Sequence, residues 1–287
     1  MSGANLRLDV RKTYKLFIGG AFPRSESGRS YVVNDAKGRF LANASRASRK
    51  DVRDAVGAAR KAFGGWAGRT PYNRGQILYR VAEMLEGRRA QFVDELRAAG
   101  VPKSAASDEV DAAVDRWVWY AGWADKLAAV RGSANPVSGP FFNFTTPEPT
   151  GVVGVIAPDS PLLGLVSVVA PAIVSGNACV VVASEPSPLP AITLAEVLAT
   201  SDLPGGVVNL LTGRRDELAP WLASHMDVNA LDLAGVSGDA VTPLEEAAAE
   251  NLKRVLRPTG DDWTSEPGTG RMTAFLETKT VWHPVGV

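Results

Sequence analysis

The chain has 287 residues, 45% of them hydrophobic and 22% charged, with 31 basic and 31 acidic side chains. That length and apolar content suffice for a substantial core in one large domain or two. The even charge balance gives no electrostatic case for nucleic acid or a membrane as partner, a single cysteine excludes an internal disulfide, and the polar residues 1–15 carry no secretory signal, so the cytoplasm is the expected compartment.

Ser48 precedes Asp51 at capping spacing, and Val52, Val56, Ala59 and Phe63 then share one face, which predicts a helix. A second helical region covers residues 71–100, with Ile77, Leu78, Val81, Leu85, Phe92 and Leu96 apolar and the opposite face rich in arginine and glutamate. A third covers roughly residues 107–129. Its Trp117, Tyr120 and Ala121 lie on one side and Trp119 and Trp123 on another, a pattern of core or interface because no cation-binding arrangement accompanies it.

The most informative stretch is residues 151–185. A β-branched run over 151–156 is broken at Pro158 and Pro161, an apolar helix-length segment follows over 161–174, and a second buried strand covers 179–182. Strand, helix, strand in that order makes a βαβ unit of a parallel sheet. Residues 160–184 hold no formal charge and are long enough to cross a bilayer. Pro161, Pro171, Gly176 and Asn177 nevertheless divide them into helix, turn and strand, with Gly176 suited to a left-handed cap, so a buried core is expected.

Few side chains suggest chemistry on their own. Cys179 sits in an apolar strand with no charge to stabilise a thiolate and reads as a small core hydrophobe. His225 and His283 have no paired metal-ligand spacing. Asp108-Glu109, Glu245-Glu246 and Asp261-Asp262 are adjacent pairs that point apart, as on a solvated surface. Residues 247–258 are charged and helix-prone, residues 259–270 loop-like, and Thr278, Thr280 and Trp282 alternate with Glu277, Lys279 and Val281 in a final strand.

Several motifs together resemble the aldehyde dehydrogenase superfamily: Tyr-Lys-Leu-Phe-Ile-Gly-Gly-Ala over 14–21, the 151–185 segment, Leu-Pro-Gly-Gly-Val-Val-Asn-Leu-Leu-Thr-Gly over 203–213, and Leu-Ala-Gly-Val over 233–236. The resemblance implies an α/β fold, a Rossmann-like NAD-binding-type parallel sheet with helices on both faces, assembled from residues 14–139 and 151–258. It also implies a protruding β oligomerisation arm from residues 140–155 with 271–287. In the family the arm strand joins a hairpin, expected here around residues 141–146 and 151–155. The family's catalytic glutamate and cysteine settings occur nowhere in the 287 residues, so the catalytic domain is expected to be absent.

By resemblance, Ile156, Ala157, Pro158, Ser160, Glu185, Gly213 and Gly235 would line a vestigial site for NAD or NADP. Pro158 and Pro161 match two family prolines, but Asp159-Ser160 between them is one residue short and lacks the family's oxyanion asparagine. Val182 stands at a ribose-binding lysine position, and Val236 replaces a serine that caps a helix facing the pyrophosphate. Glu185 retains the family's ribose-contacting carboxylate, although a polar residue after a strand serves equally as a turn or helix-start residue. Losing a charge-assisted contact and a cap removes on the order of 1 to 3 kcal/mol each, so cofactor binding is expected to be weak or absent.

The leading expectation is a catalytically inactive homologue that serves as an assembly or regulatory subunit, its arm adding a strand to a full-length aldehyde dehydrogenase, with a homo-oligomer also open. One alternative is an oxidoreductase subunit whose catalytic residues come from a partner chain. Another is an independent small-ligand binder using the crevice at the strand ends.

Overall fold

The strand Ala178–Val182 sends Cys179 and Val181 into one apolar cluster and Ala178, Val180 and Val182 into a second. With no solvent-facing side, it needs cover on both faces, as in the middle of a parallel sheet. The computed structural model, which describes residues 12–286, supplies that cover. Residues 1–11 of the polar leading segment, and Val287 of the terminal arm, lie outside the described residues.

In chain order, a hairpin of β1 (Ser30–Asn34) and β2 (Phe40–Ser45) precedes α1 (Arg49–Ala67), α2 (Pro71–Glu86), α3 (Arg89–Ala98), α4 (Lys103–Ala121) and α5 (Leu127–Arg131). Next come β3 (Ser133–Asn135), β4 (Phe141–Pro149), β5 (Val152–Ile156), α6 (Leu163–Val174), β6 (Ala178–Val182), α7 (Leu189–Ala199) and β7 (Val208–Leu211). The remainder is α8 (Arg215–Ser224), β8 (Ala230–Asp232), α9 (Val241–Ala249), β9 (Arg254–Leu256), α10 (Gly270–Ala274) and β10 (Leu276–Pro284). The main sheet runs β7-β6-β5-β8-β9 with every pairing parallel. From β5 the chain steps outward through β6 and β7, then returns to the other side for β8 and β9. The reversal creates a switch point between β5 and β8, where sheets of this order take their ligands.

One apolar cluster joins Val153, Val155, Cys179 and Val181 of the sheet to α2, α4, α6 and α7. The other joins Val152, Ile156, Val180 and Val182 to α1, α8 and α9. Helix α1 starts at the expected capping box, in which Ser48 and Asp51 satisfy each other's backbone amides. Its far end is pinned by buried Trp66, whose indole N–H donates to the Ile173 carbonyl at 2.8 Å. At the opposite margin, Phe17 exchanges backbone hydrogen bonds with Leu210 and so covers the free edge of β7.

Four expectations change. The region 71–100 is two helices, interrupted at Gly87 and Arg88, and the third helix stops at Ala121, with α5 a separate turn. Residues 247–258 are not one helix: the chain turns at Leu252, where φ is +58°, and Arg254–Leu256 becomes the fifth parallel strand, with Val255 packed on the second cluster. The hairpin partner of β4 is Ser133–Asn135, not residues 151–155. Those residues are wholly buried and apolar, and such a run belongs at the centre of a two-sided sheet rather than on an arm. Strand β10 pairs with β4 from Leu276 against Pro149 to Pro284 against Phe141.

The 259–270 segment is irregular, as its composition suggests, but it is anchored. Arg116 donates to the Ser167 hydroxyl at 2.9 Å and to the Trp263 and Ser265 carbonyls at 2.8 and 2.9 Å. Arg271 pairs with the fully buried Asp232 and, at 2.5 Å, with Asp261, while its guanidinium lies over the Trp263 ring. Burial pushes the Asp232 carboxyl up against the opposing pull of Arg271.

Replacing Arg271 by alanine strands that carboxylate and is expected to cost about 3–5 kcal/mol. A carboxyl whose folded-state pKa is raised loses stability as pH rises through that pKa, so the deficit grows from acidic to neutral pH. Urea unfolding of both proteins across this range checks the prediction, and a deficit independent of pH contradicts it.

Candidate functional site

At the switch point the carboxyl ends of β5 and β8 lie against each other. The Gly235 amide donates to the Ile156 carbonyl at 2.8 Å, and a Cβ placed on Gly235 would stand 2.0 Å from the Ala157 oxygen. Only glycine permits this approach. On the other side of β5, the Ala157 amide donates to Val182 at 2.9 Å. The seven expected site residues accordingly gather at one edge: Ile156, Ala157, Pro158 and Ser160 beyond β5, Glu185 beyond β6, Gly213 beyond β7 and Gly235 beyond β8.

The crevice between those ends is bridged by a side chain of the protein itself. Arg215, the first residue of α8, turns its guanidinium back over the sheet and donates to the Ala157 carbonyl at 2.8 Å and to the Gly235 carbonyl at 3.3 Å. The same fork grips Asp159 at 2.5 and 3.1 Å, and the Ser184 hydroxyl holds that carboxylate at 2.8 Å. Three segments, the turn at residues 157–159, the one at Gly235 and the start of α8, are sewn together by one planar cation, which no lysine could reproduce. The Arg215 side chain is only 21% exposed.

Carboxylates also occupy the helix ends. Glu185 accepts from the Arg215 amide at 3.2 Å, at the start of α8, and pairs with Arg214 at 3.2 Å. Glu109 accepts from the Leu162 and Leu163 amides at 3.3 and 3.2 Å, at the start of α6. Helix N-termini attract anions through their unpaired amides and dipole, and here both are already served by acids of the chain itself. Ser160 is spent on the Gly164 amide at 3.0 Å. What stays open beside Glu185 is a cleft of about 380 Å³ bounded by Tyr31, Val33, Asn34, Pro186 and Arg215.

The sequence reading missed Asp159 and Arg215 as site residues and misread Glu109 as solvated surface. Asp159 was visible as the residue in the shortened Pro158 to Pro161 turn, and Arg214-Arg215 as a cationic pair directly after a strand and Gly213. No local pattern could disclose that Glu109 reaches the start of α6, 54 residues downstream. Val236 does not cap anything and is instead buried in the second apolar cluster.

Little else is chemically active. Cys179 is completely buried, and burial alone pushes its thiol far up. The Nδ1 of His225 accepts from the Asp227 amide at 3.2 Å, and His283 lies exposed on β10. Among the described residues there is no group of three histidine, cysteine or acidic side chains able to hold a metal, and no helix long and apolar enough to cross a membrane.

A family model described as the aldehyde dehydrogenase family matches residues 22–260. The chain is 34% identical over 253 residues to cytosolic aldehyde dehydrogenase 1 of Elephantulus edwardii, covering 86% of this chain and 50% of that protein. It is 34% identical over 257 residues to the protein named putative aldehyde dehydrogenase DhaS of Bacillus subtilis, covering 88% and 51%. An NAD+ complex of an aldehyde dehydrogenase from Bacillus cereus superposes with a TM-score of 0.79 at 30% identity, and PnpE with nicotinamide adenine dinucleotide at 0.81 and 28%. Each of these two matches covers 85% of this chain and 50% of the other. The chain spans about half the length of the curated relatives it matches.

Because no base or cation adjoins it, Cys179 is expected to resist a thiol-specific disulfide reagent in the native protein and to react once in denaturant. Spectrophotometric titration with and without urea checks this, and rapid native labelling contradicts it.

Proposed function

Because the chain belongs to the aldehyde dehydrogenase family, we propose that it is a non-catalytic member acting as an assembly or regulatory subunit of a full-length aldehyde dehydrogenase, with weak or no binding of NAD or NADP. The observation that carries this reading is the occupied crevice. A dinucleotide entering at the switch point meets the Arg215 guanidinium on the Ala157 and Gly235 carbonyls, and finds Glu185 and Glu109 on the two helix ends. The Glu109 carboxylate repels a pyrophosphate where the amides at the start of α6 would otherwise attract it.

Chemistry lacks its parts within these residues. Acyl transfer to a thiol requires a thiolate, a base and oxyanion donors together, whereas Cys179 lies inside the sheet and Asp159-Ser160 supplies no side-chain amide. An NAD+ complex exists for the Bacillus cereus relative; binding by this chain is a separate matter, on which the closed strand ends bear directly.

The arm supports the docking half of the reading. In the sheet ordered β10-β4-β3, the nine-residue β10 forms an edge and is solvent-exposed along most of its length. Its register is fixed by the Thr145 to Thr280 hydroxyl contact at 3.0 Å, the Lys279 to Glu148 pair at 2.9 Å and the packing of Phe141 on Trp282. An ordered edge of this kind can add to a partner's sheet, with main-chain hydrogen bonds giving affinity.

Mixing the chain with a full-length aldehyde dehydrogenase from the same organism is expected to give a complex in sedimentation velocity. Thr280→Pro, which removes a strand donor, is expected to abolish it. Aldehyde oxidation by the isolated chain, or a stable monomer with no affinity for such a subunit, contradicts the proposal. Oxidation that arises only on mixing and needs residues of both chains would instead identify an active shared enzyme.

A further inference from the structure

Among the described residues, Arg215 is placed unlike several other arginines. Arg39, Arg80 and Arg257 pair with carboxylates on the surface. Arg74 and Arg116 are buried and hold main-chain carbonyls of residues 69 and 174 and of residues 263 and 265. Arg215 alone among these bridges the ends of β5 and β8, the two strands between which the chain reverses direction. Open sheets of this order bind their ligands in that crevice. Its planar fork matches two carbonyls and a carboxylate in one geometry, and the carboxylate is itself steadied by Ser184.

We propose that Arg215 is a built-in stopper of the crevice. Its guanidinium takes up the volume and the backbone acceptors at the β5 and β8 ends and thereby excludes a dinucleotide. This rests on the reading above that cofactor binds weakly or not at all, and it names the group responsible. Asp159 serves as the stopper's counter-charge. Removing the arginine alone would leave that carboxylate facing a pyrophosphate, so opening the crevice requires both changes. The surrounding scaffold survives them, because the Gly235 to Ile156 and Ala157 to Val182 backbone bonds do not involve either side chain.

The test is isothermal titration of the full chain with NAD, comparing wild type, Asp159→Asn and the double variant Asp159→Asn with Arg215→Gly. Far-UV circular dichroism and melting temperature confirm folding, and Arg215→Gln replaces Arg215→Gly if the glycine variant does not fold. The double variant is expected to bind at least about tenfold more tightly than wild type and than Asp159→Asn, in which the guanidinium still sits on both carbonyls. A matching gain in Asp159→Asn alone assigns the block to the carboxylate and overturns the proposal. So does a folded double variant that binds no better than a non-binding wild type, an outcome that leaves the weak-binding reading intact. Low-micromolar binding by the wild type defeats that reading itself, and the stopper with it. As a control, Arg80→Ala on the exposed face of α2 is expected to give no gain, and an equal gain there also overturns the assignment.

Discussion

The contact on which the site depends is the closure of β5 against β8. Gly235 brings the β8 end so near β5 that its amide reaches the Ile156 carbonyl, and no side chain fits between. Once the ends are this close, two carbonyls project from the same edge and need donors, because an unpaired buried polar group is costly. A bound cofactor or solvent could meet that need in an open crevice. In this chain Arg215 does so, and the shortened turn at Asp159 delivers the charge that holds the guanidinium in place. The two terminal nitrogens of Arg215 meet both carbonyls and Asp159, while its buried Nε has no partner.

The same principle recurs at the opposite flank. Asp232 ends β8 inside the core, where a lone carboxylate could not remain charged, and Arg271 arrives from 39 residues downstream to meet it. That pairing, with Arg116 holding the Trp263 and Ser265 carbonyls, lays residues 259–270 across α4 and α6 and leads the chain into β10. Asn177 completes the join: it receives the Gly151 amide at 2.8 Å and donates to the Phe275 carbonyl at 2.9 Å. The roots of the sheet and of the arm therefore share one buried side chain. Beyond that join, β4 is mostly half-buried and β10 mostly exposed.

How much of this was legible follows from the range of the forces involved. Periodicity disclosed β5, α6 and β6, because burial on both faces leaves an unmistakable apolar signature, and Ser48 with Asp51 marked the start of α1. Strand β9 was hidden, since three residues with a charged first position resemble the end of a helix until β8 offers an edge to pair with. The hairpin partner of β4 was misassigned for a related reason: Ser-Ala-Asn has no strand propensity, and its pairing is imposed by the chain entering from α5. In the site, Glu185 and Gly235 were readable as motif positions. Asp159, Arg215 and Glu109 take their roles from side chains reaching across segments 53 to 58 residues apart. An aspartate between two leucines at 231 and 233 was the one overlooked sign of a buried ion pair.

A scaffold of the family thus retains its parallel sheet, and its own side chains bridge the strand ends at the switch point. The claim concerns the ends of β5 and β8, and amide hydrogen exchange followed by mass spectrometry observes those ends directly. Peptides covering residues 156–163 and 231–237 are predicted to exchange slowly in the free protein and to be unaltered by saturating NAD. Fast exchange there without ligand, slowed when NAD is added, would contradict the account.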